Sequence, residues 1–195
     1  MSIEPAATRL LRALATVLQR FGDRWYLFGA QAVVAWGRPR LTADVDVTVF
    51  LEPEEPEGFA IAMKQAGFEL RVRDVAGFVR RTRVLPFLHL ETNLPLDIVL
   101  GGPGLEEEFL HRARRIDVGG TAVRVIAPED LVASKVLAGR AKDLEDVRTI
   151  LLAQRKTLDI DGVRSLLGAI ETAIDRRDLL PLFEAQLGAL KLERR

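Results

Sequence analysis

The chain lacks cysteine and contains only two histidines, His89 and His111. Without thiols there is no disulfide scaffold and no thiolate zinc site, and two imidazoles are too few for a histidine zinc cage. No run approaches the roughly 20 apolar residues of a membrane-spanning helix. Arg9, Arg12 and Arg20 interrupt the apolar N-terminal segment, which argues against a signal peptide. We therefore expect a cytoplasmic protein with no membrane association.

A net charge is also lacking, since 28 basic residues balance 28 acidic ones. This balance argues against a dedicated binder of duplex nucleic acid, which usually carries a basic excess. The charges are unevenly distributed, however, with an acidic block at Glu106–Glu108 and a basic stretch from Arg71 to Arg83. The arginines form either one solvated face or a surface for RNA or nucleotide. With 195 residues, 48% of them hydrophobic, the chain should form one globular domain, with or without a helical appendage.

Apolar periodicity predicts an α/β (α+β) fold. An amphipathic helix is expected over 4–21, and a strand over 25–28 leads through Gly29 into a short helix. A second strand is expected over 45–50. The remaining predicted elements are helices over 57–66 and 105–115, extended segments over 68–73 and 78–91, a strand over 96–100, a hairpin over 115–125 and four helices between 128 and 190. This pattern divides the chain into a mixed core over 1–126 and a C-terminal helical region over 127–195.

The second strand carries two acids, Asp44 and Asp46, two residues apart. Alternation along a strand places both on one face, about 6–7 Å apart, while Val45 and Val47 point into an apolar layer. Two neighbouring carboxylates repel each other unless a cation or base lies between them. Magnesium fits such a site, with manganese as an alternative, because it prefers carboxylate oxygens and retains phosphate and water ligands.

A third acid, Asp97, interrupts the apolar strand Leu96–Leu100. If this strand lies beside the first, three carboxylates converge and could hold two metal ions that support in-line displacement at phosphorus. Upstream, the strand-to-helix turn at Gly29 offers backbone N–H groups as a phosphate cradle. The alternative is that Asp44 and Asp46 are solvated acids on the open face of an edge strand, that Asp97 is a loop-end residue turned to water, and that Gly29 only ends a strand or caps a helix.

This ordered set resembles the DNA polymerase beta-type nucleotidyltransferase superfamily. The segments Gly29-Ala30-Gln31-Ala32 and Arg40-Leu41-Thr42-Ala43-Asp44-Val45-Asp46 are similar to the AbiEii-type and minimal nucleotidyltransferases of bacterial toxin–antitoxin systems. The later segment from Ser134 to Val147 resembles the lysine-bearing helices that follow the core in those proteins. The resemblance spans roughly residues 25–152, and it implies a small mixed sheet flanked by helices.

The resemblance implies that Asp44, Asp46 and Asp97 bind the divalent metal ions and that Asp97 helps to activate the attacking hydroxyl. The residues that it places at the nucleotide are Gly29, Ala30, Gln31, Arg40, Thr42 and Lys135. Ala30 departs from the family's usual glycine or serine and supplies no hydroxyl, and Gln31 is a candidate substitute donor. The alternative for Lys135 is a surface lysine, and Asp143 and Asp146 are expected in intrahelical ion pairs.

The leading hypothesis is a metal-dependent nucleotidyltransferase that moves an NMP from an NTP to a hydroxyl of an RNA such as tRNA, a protein or a small molecule. It could act within a toxin–antitoxin system. A second hypothesis is a catalytically weak module of the same fold that binds a cognate toxin or antitoxin protein. A third is a metal-dependent nuclease that uses the same acids with water as the nucleophile.

Overall fold

The computed structural model describes residues 4–22, 24–38, 44–52 and 55–190. These residues form two compact units. The first comprises the described residues up to 31 and those between 44 and 126, and the second comprises those of 32–38 and 127–190. Within the described part of the chain, no helix has the length and apolar character needed to cross a membrane.

The first unit is built on one mixed sheet of seven strands. The strands are β1 (Trp25–Phe28), β2 (Val45–Val49), β3 (Phe68–Leu70), β4 (Val84–His89), β5 (Leu94–Leu100), β6 (Arg114–Val118) and β7 (Thr121–Val125). Their order across the sheet is β3-β4-β5-β2-β1-β7-β6. The pairs β2–β5 and β1–β7 are parallel, and the other neighbours are antiparallel. β2 is therefore the central strand. The alternative that Asp46 lies on an edge strand is wrong.

The alternation of apolar residues along β2 gives this strand one fully buried face. Val45, Val47 and Val49 are each at most 1% exposed, whereas Asp46 between them is partly exposed. One helix that covers the sheet is α1 (Ala6–Leu18), which buries its leucines and contacts β7 and β5. The mixed α/β architecture expected from the sequence is thus confirmed.

Helices complete both units. The remaining ones are α2 (Gly29–Trp36), α3 (Pro56–Gln65), α4 (Val75–Thr82), α5 (Leu105–Arg112), α6 (Pro128–Ala138), α7 (Ala141–Ala153), α8 (Ile160–Ile174) and α9 (Leu179–Ala189). In the second unit, α6 packs on α7, α8 and α9, and apolar side chains such as Leu131, Ile150, Leu167 and Phe183 form its core. The division of the chain at residue 126 into two domains stays a prediction.

One local prediction is wrong, because residues 75–82 are helical rather than part of an extended segment over 78–91. Asp74 caps this helix, α4, with its side chain accepting a hydrogen bond of 2.9 Å from the N–H of Gly77. Gly77 therefore belongs to a capped first turn and does not break a strand. The partly buried residues Val75, Phe78 and Val79 are spaced i, i+3, i+4, which is the helical signal in this segment.

Candidate active site

The sheet brings Asp46 and Asp97 directly opposite each other. Asp46 of β2 is in register with Asp97 of β5 in the parallel pairing of these strands. Residues in register on neighbouring strands project to the same face, about 4.8 Å apart between backbones. Two carboxylates that project to the same face in this way repel each other. Solvent weakens that repulsion, since the Asp97 side chain is 42% exposed.

The carboxylate of Asp46 lies against the beginning of α2. A Cβ atom added to Gly29 would be 2.1 Å from Oδ2 of Asp46 and 2.8 Å from its Cγ. Gly29 also has a φ of +63°, in the left-handed region. Only glycine meets both conditions, the positive φ and the approach of the carboxylate. The sequence predicted Gly29 as a phosphate turn, and its contact with Asp46 is a feature that the tertiary structure adds.

Asp44 lies one residue before β2 and is exposed. Among the described residues, no three His, Cys, Asp or Glu side chains are grouped so as to hold a metal ion. The pair Asp46 and Asp97 nevertheless suits magnesium, which is usually held by one or two carboxylates together with substrate phosphates and water. The donor chemistry therefore fits the predicted ion, and metal binding itself stays a prediction.

The nucleotide-binding residues suggested by the sequence are only partly described. Gly29, Ala30 and Gln31 form the first turn of α2, and all three are partly exposed. The first turn of a helix leaves N–H groups without intrahelical partners and favours anions. Arg40 and Thr42 lie outside the described residues.

An arginine that the sequence analysis did not connect with the acids reaches Asp97. Arg71 follows β3, and its guanidinium forms an ion pair with the Asp97 carboxylate. Its Nε donates to the Phe87 carbonyl of β4 at 3.0 Å. The sequence signal is an arginine directly after a short strand, but only the strand order reveals that this side chain crosses β4 to reach β5.

Lys135 belongs to the second unit and is buried rather than on the surface, with 8% exposure. Its ammonium donates to Asp143 Oδ1 at 3.0 Å and to Asp146 Oδ2 at 2.9 Å. Of the expected intrahelical pairs, Asp143 does accept from Arg140, at 2.5 Å, but both aspartates also bind the lysine of the preceding helix. The Lys135 ammonium could contact a triphosphate only if its buried hydrogen bonds to Asp143 and Asp146 broke. The predicted nucleotide contact of Lys135 stays a prediction.

The surroundings of Asp143 and His89 shift the pKa values of these two side chains. Burial by itself raises the pKa of Asp143, but hydrogen bonds from Arg140 and Lys135 outweigh it and hold this pKa below its ordinary value. Burial lowers the pKa of His89. The His89 ring lies 4.6 Å from that of Phe68, and its Nδ1 is 2.8 Å from the Thr92 hydroxyl. His89 thus occupies a packed site on β4.

Residues 12–179 match the family described as nucleotidyltransferase of unknown function (DUF6036). The chain belongs to this nucleotidyltransferase family. No curated protein matches the chain. The family supports the broader of the two resemblances drawn from the sequence, the nucleotidyltransferase fold, and the narrower likeness to AbiEii-type proteins stays a prediction.

Solved structures share the fold at low sequence identity. ANT(2'')-Ia in complex with adenylyl-2''-tobramycin is 14% identical, with a TM-score of 0.59 over 87% of this chain and 99% of that one. An antigenic nucleotidyltransferase-like protein from Paracoccidioides brasiliensis is 16% identical, with a TM-score of 0.56 over 94% of each chain. A putative nucleotidyltransferase from H. pylori is 17% identical, with a TM-score of 0.51 over the whole of both chains. These likenesses support the nucleotidyltransferase fold of the present chain.

Proposed function

We propose that this nucleotidyltransferase transfers an NMP from an NTP to a hydroxyl group in a reaction that depends on magnesium or manganese. The observation that carries the proposal is the placement of Asp46 opposite Asp97 on the central strands, with the Asp46 carboxylate against Gly29. The two carboxylates supply the oxygen donors that magnesium prefers, and the pair lies beside the first turn of α2, whose N–H groups favour a triphosphate.

In the proposed reaction, Asp46 and Asp97 would hold the divalent cation. Asp44, directly before β2, is the third acid predicted from the sequence, but the described residues do not group it with the other two. The bound cation would neutralise phosphate charge and stabilise the attacking and leaving oxygens. The backbone N–H groups of Gly29 to Gln31 orient the triphosphate. The acceptor oxygen forms a bond to the α-phosphorus while the bond to the bridging oxygen breaks and pyrophosphate leaves. Asp97 takes the proton of the attacking hydroxyl.

The test is transfer of radioactive label from each α-labelled NTP, with and without EDTA, by wild type, Asp46→Asn and Asp97→Asn. The matched control is Glu69→Gln, an exposed acid of β3 in the same sheet. Since a change in the outer shell of a metal site costs about 10–100-fold, loss of a ligand should lower transfer by at least about 100-fold. EDTA should abolish transfer, and added magnesium or manganese should restore it.

Equal transfer by wild type and both asparagine variants would refute the proposal. Binding of a stoichiometric protein partner without any binding of NTP or cation would instead support the catalytically weak binding module. Cleavage of nucleic acid in the absence of NTP would support the nuclease.

The acceptor is the next question, and we propose RNA, protein and small hydroxylated molecules as the classes to compare. ANT(2'')-Ia, which shares the fold, has been solved with adenylyl-2''-tobramycin, and this makes small molecules one class to include. Labelled products are separated from total RNA, soluble proteins and a small-molecule extract of cytoplasm incubated with the enzyme. We also propose that the chain acts in a toxin–antitoxin system. This proposal predicts that the product of a neighbouring gene copurifies with the chain and changes the transfer rate.

A further inference from the structure

Arg71 is held at several points beside the proposed site. Its backbone N–H donates to the Pro86 carbonyl at 2.9 Å, and its Nε donates to the Phe87 carbonyl at 3.0 Å. Both carbonyls belong to β4, which separates β3 from β5. The far end of the guanidinium forms the ion pair with Asp97. A side chain anchored in this way presents its positive charge at a defined place on the sheet.

The Arg71 guanidinium lies at the Asp97 carboxylate, where the proposed function requires a divalent cation. Asp97 and Asp46 are in register, so their negative charges add, and the guanidinium offsets the charge of Asp97. A guanidinium and a divalent ion compete for the same carboxylate oxygens, because each is favoured there by the same negative potential. The chain itself therefore already supplies a positive charge at this site.

We propose that Arg71 is the counter-ion of Asp97 in the nucleotide-free protein and passes to the nucleotide phosphates when the divalent cation and NTP bind. This inference rests on the proposed function. It assigns two successive partners to one guanidinium, first a carboxylate and then a phosphate.

The geometry allows this exchange. The side chains of Arg71 and Asp97 are 39% and 42% exposed, and exposed ion pairs of this kind are weak and readily broken. Phosphate oxygens match the planar donors of arginine, so the guanidinium gains bidentate bonds in place of its pair with Asp97. The bonds to the β4 carbonyls keep the side chain near the site while its far end changes partner.

The experiment compares Arg71→Met with Arg73→Met. Arg73 is the matched control because it has the same charge two residues on, is exposed, and forms no ion pair with the described residues. Manganese binding without nucleotide is measured by electron paramagnetic resonance, and binding of magnesium–NTP is measured by calorimetry. Melting curves confirm that each variant is folded.

Opposite effects on the two ligands are expected. Arg71→Met should bind manganese alone at least about threefold more tightly, because a competing positive charge is gone. It should bind magnesium–NTP about tenfold or more weakly, because hydrogen bonds between charged groups are lost. Arg71→Lys keeps the charge without the planar fork, so it should bind manganese as wild type does and recover only part of the nucleotide affinity. Arg73→Met should match wild type within about twofold in both measurements.

If wild type binds both ligands and Arg71→Met behaves like Arg73→Met, the exchange is refuted and the proposed function stands. Weaker manganese binding by Arg71→Met would also refute it, since the arginine would then be aiding the metal site instead of competing with it. If wild type binds neither ligand and transfers no label, the proposed function fails, and the exchange fails with it.

Discussion

Replacing Gly29 by alanine should disturb the candidate site through a single methyl group. The new Cβ would lie 2.1 Å from Oδ2 and 2.8 Å from Cγ of Asp46, far inside van der Waals contact. The Asp46 carboxylate must rotate away, or the beginning of α2 must shift. Either movement displaces the acid that faces Asp97, so the substitution tests whether this local geometry matters for transfer.

Two costs contribute to the expected loss of stability. The φ of +63° at Gly29 is unfavourable for alanine by about 1–2 kcal/mol. Forcing the Asp46 side chain from its preferred rotamer costs a further 0.5–1.5 kcal/mol or so. The sum, about 1.5–3.5 kcal/mol, corresponds to a fall in Tm of roughly 3–14 °C for a chain of this size. Displacement of a reacting group by about 1 Å can lower the rate about 100-fold.

Gly67→Ala is the matched control, because Gly67 has a φ of +83° and an added Cβ there meets nothing within 4 Å. It should lose only about 1–2 kcal/mol and retain transfer. Melting curves and label transfer are measured on both variants and on Gly29→Ala/Asp46→Ala, which should recover part of the stability but no activity. Equal stability losses for the two glycine variants, with transfer retained in Gly29→Ala, would refute the reasoning.

Further predictions concern the helical unit and α4. Lys135→Met should lower the unfolding free energy in urea by about 3–5 kcal/mol, because two buried aspartates lose their shared cation; a loss below about 1 kcal/mol would contradict this. The depressed pKa of Asp143 means that the unfolded chain binds this proton at higher pH than the folded one. Its stabilisation should therefore be complete above about pH 4 and disappear as the pH falls through the folded pKa, and Asp143→Asn should flatten this decline in acid titrations of stability. Asp74→Ala removes the cap of α4 and should cost about 1 kcal/mol, and an unchanged Tm would argue against the cap.

Much of the fold could be predicted from sequence because its signals are local. Alternating valines around Asp46 specify a strand with one buried face, and the apolar spacing of α1 specifies a helix. The segment around α4 shows the limit of such reasoning. The sequence pattern predicts an extended segment over 78–91, whereas the Asp74 side chain closes a helical turn around Gly77.

The candidate site was predictable in its residue types but not in its pairing. A charged residue in an apolar strand is costly, which singled out Asp97, and the two-residue spacing of Asp44 and Asp46 along a strand singled out that pair. Their register depends on which strands become neighbours, and this is decided by the whole sheet. The contact of Arg71 with Asp97 has the same origin, since its side chain must cross β4.

The sequence by itself therefore determined most of the element types, with α4 as an exception, the acids on apolar strands and the glycine between β1 and α2, because each depends on residues close together in the chain. Only the tertiary structure decided that β2 is central, that Asp46 faces Asp97 and presses against Gly29, and that Lys135 is buried between two aspartates. These features depend on contacts between distant segments, whose free energy is set by packing and desolvation rather than by local conformational preference.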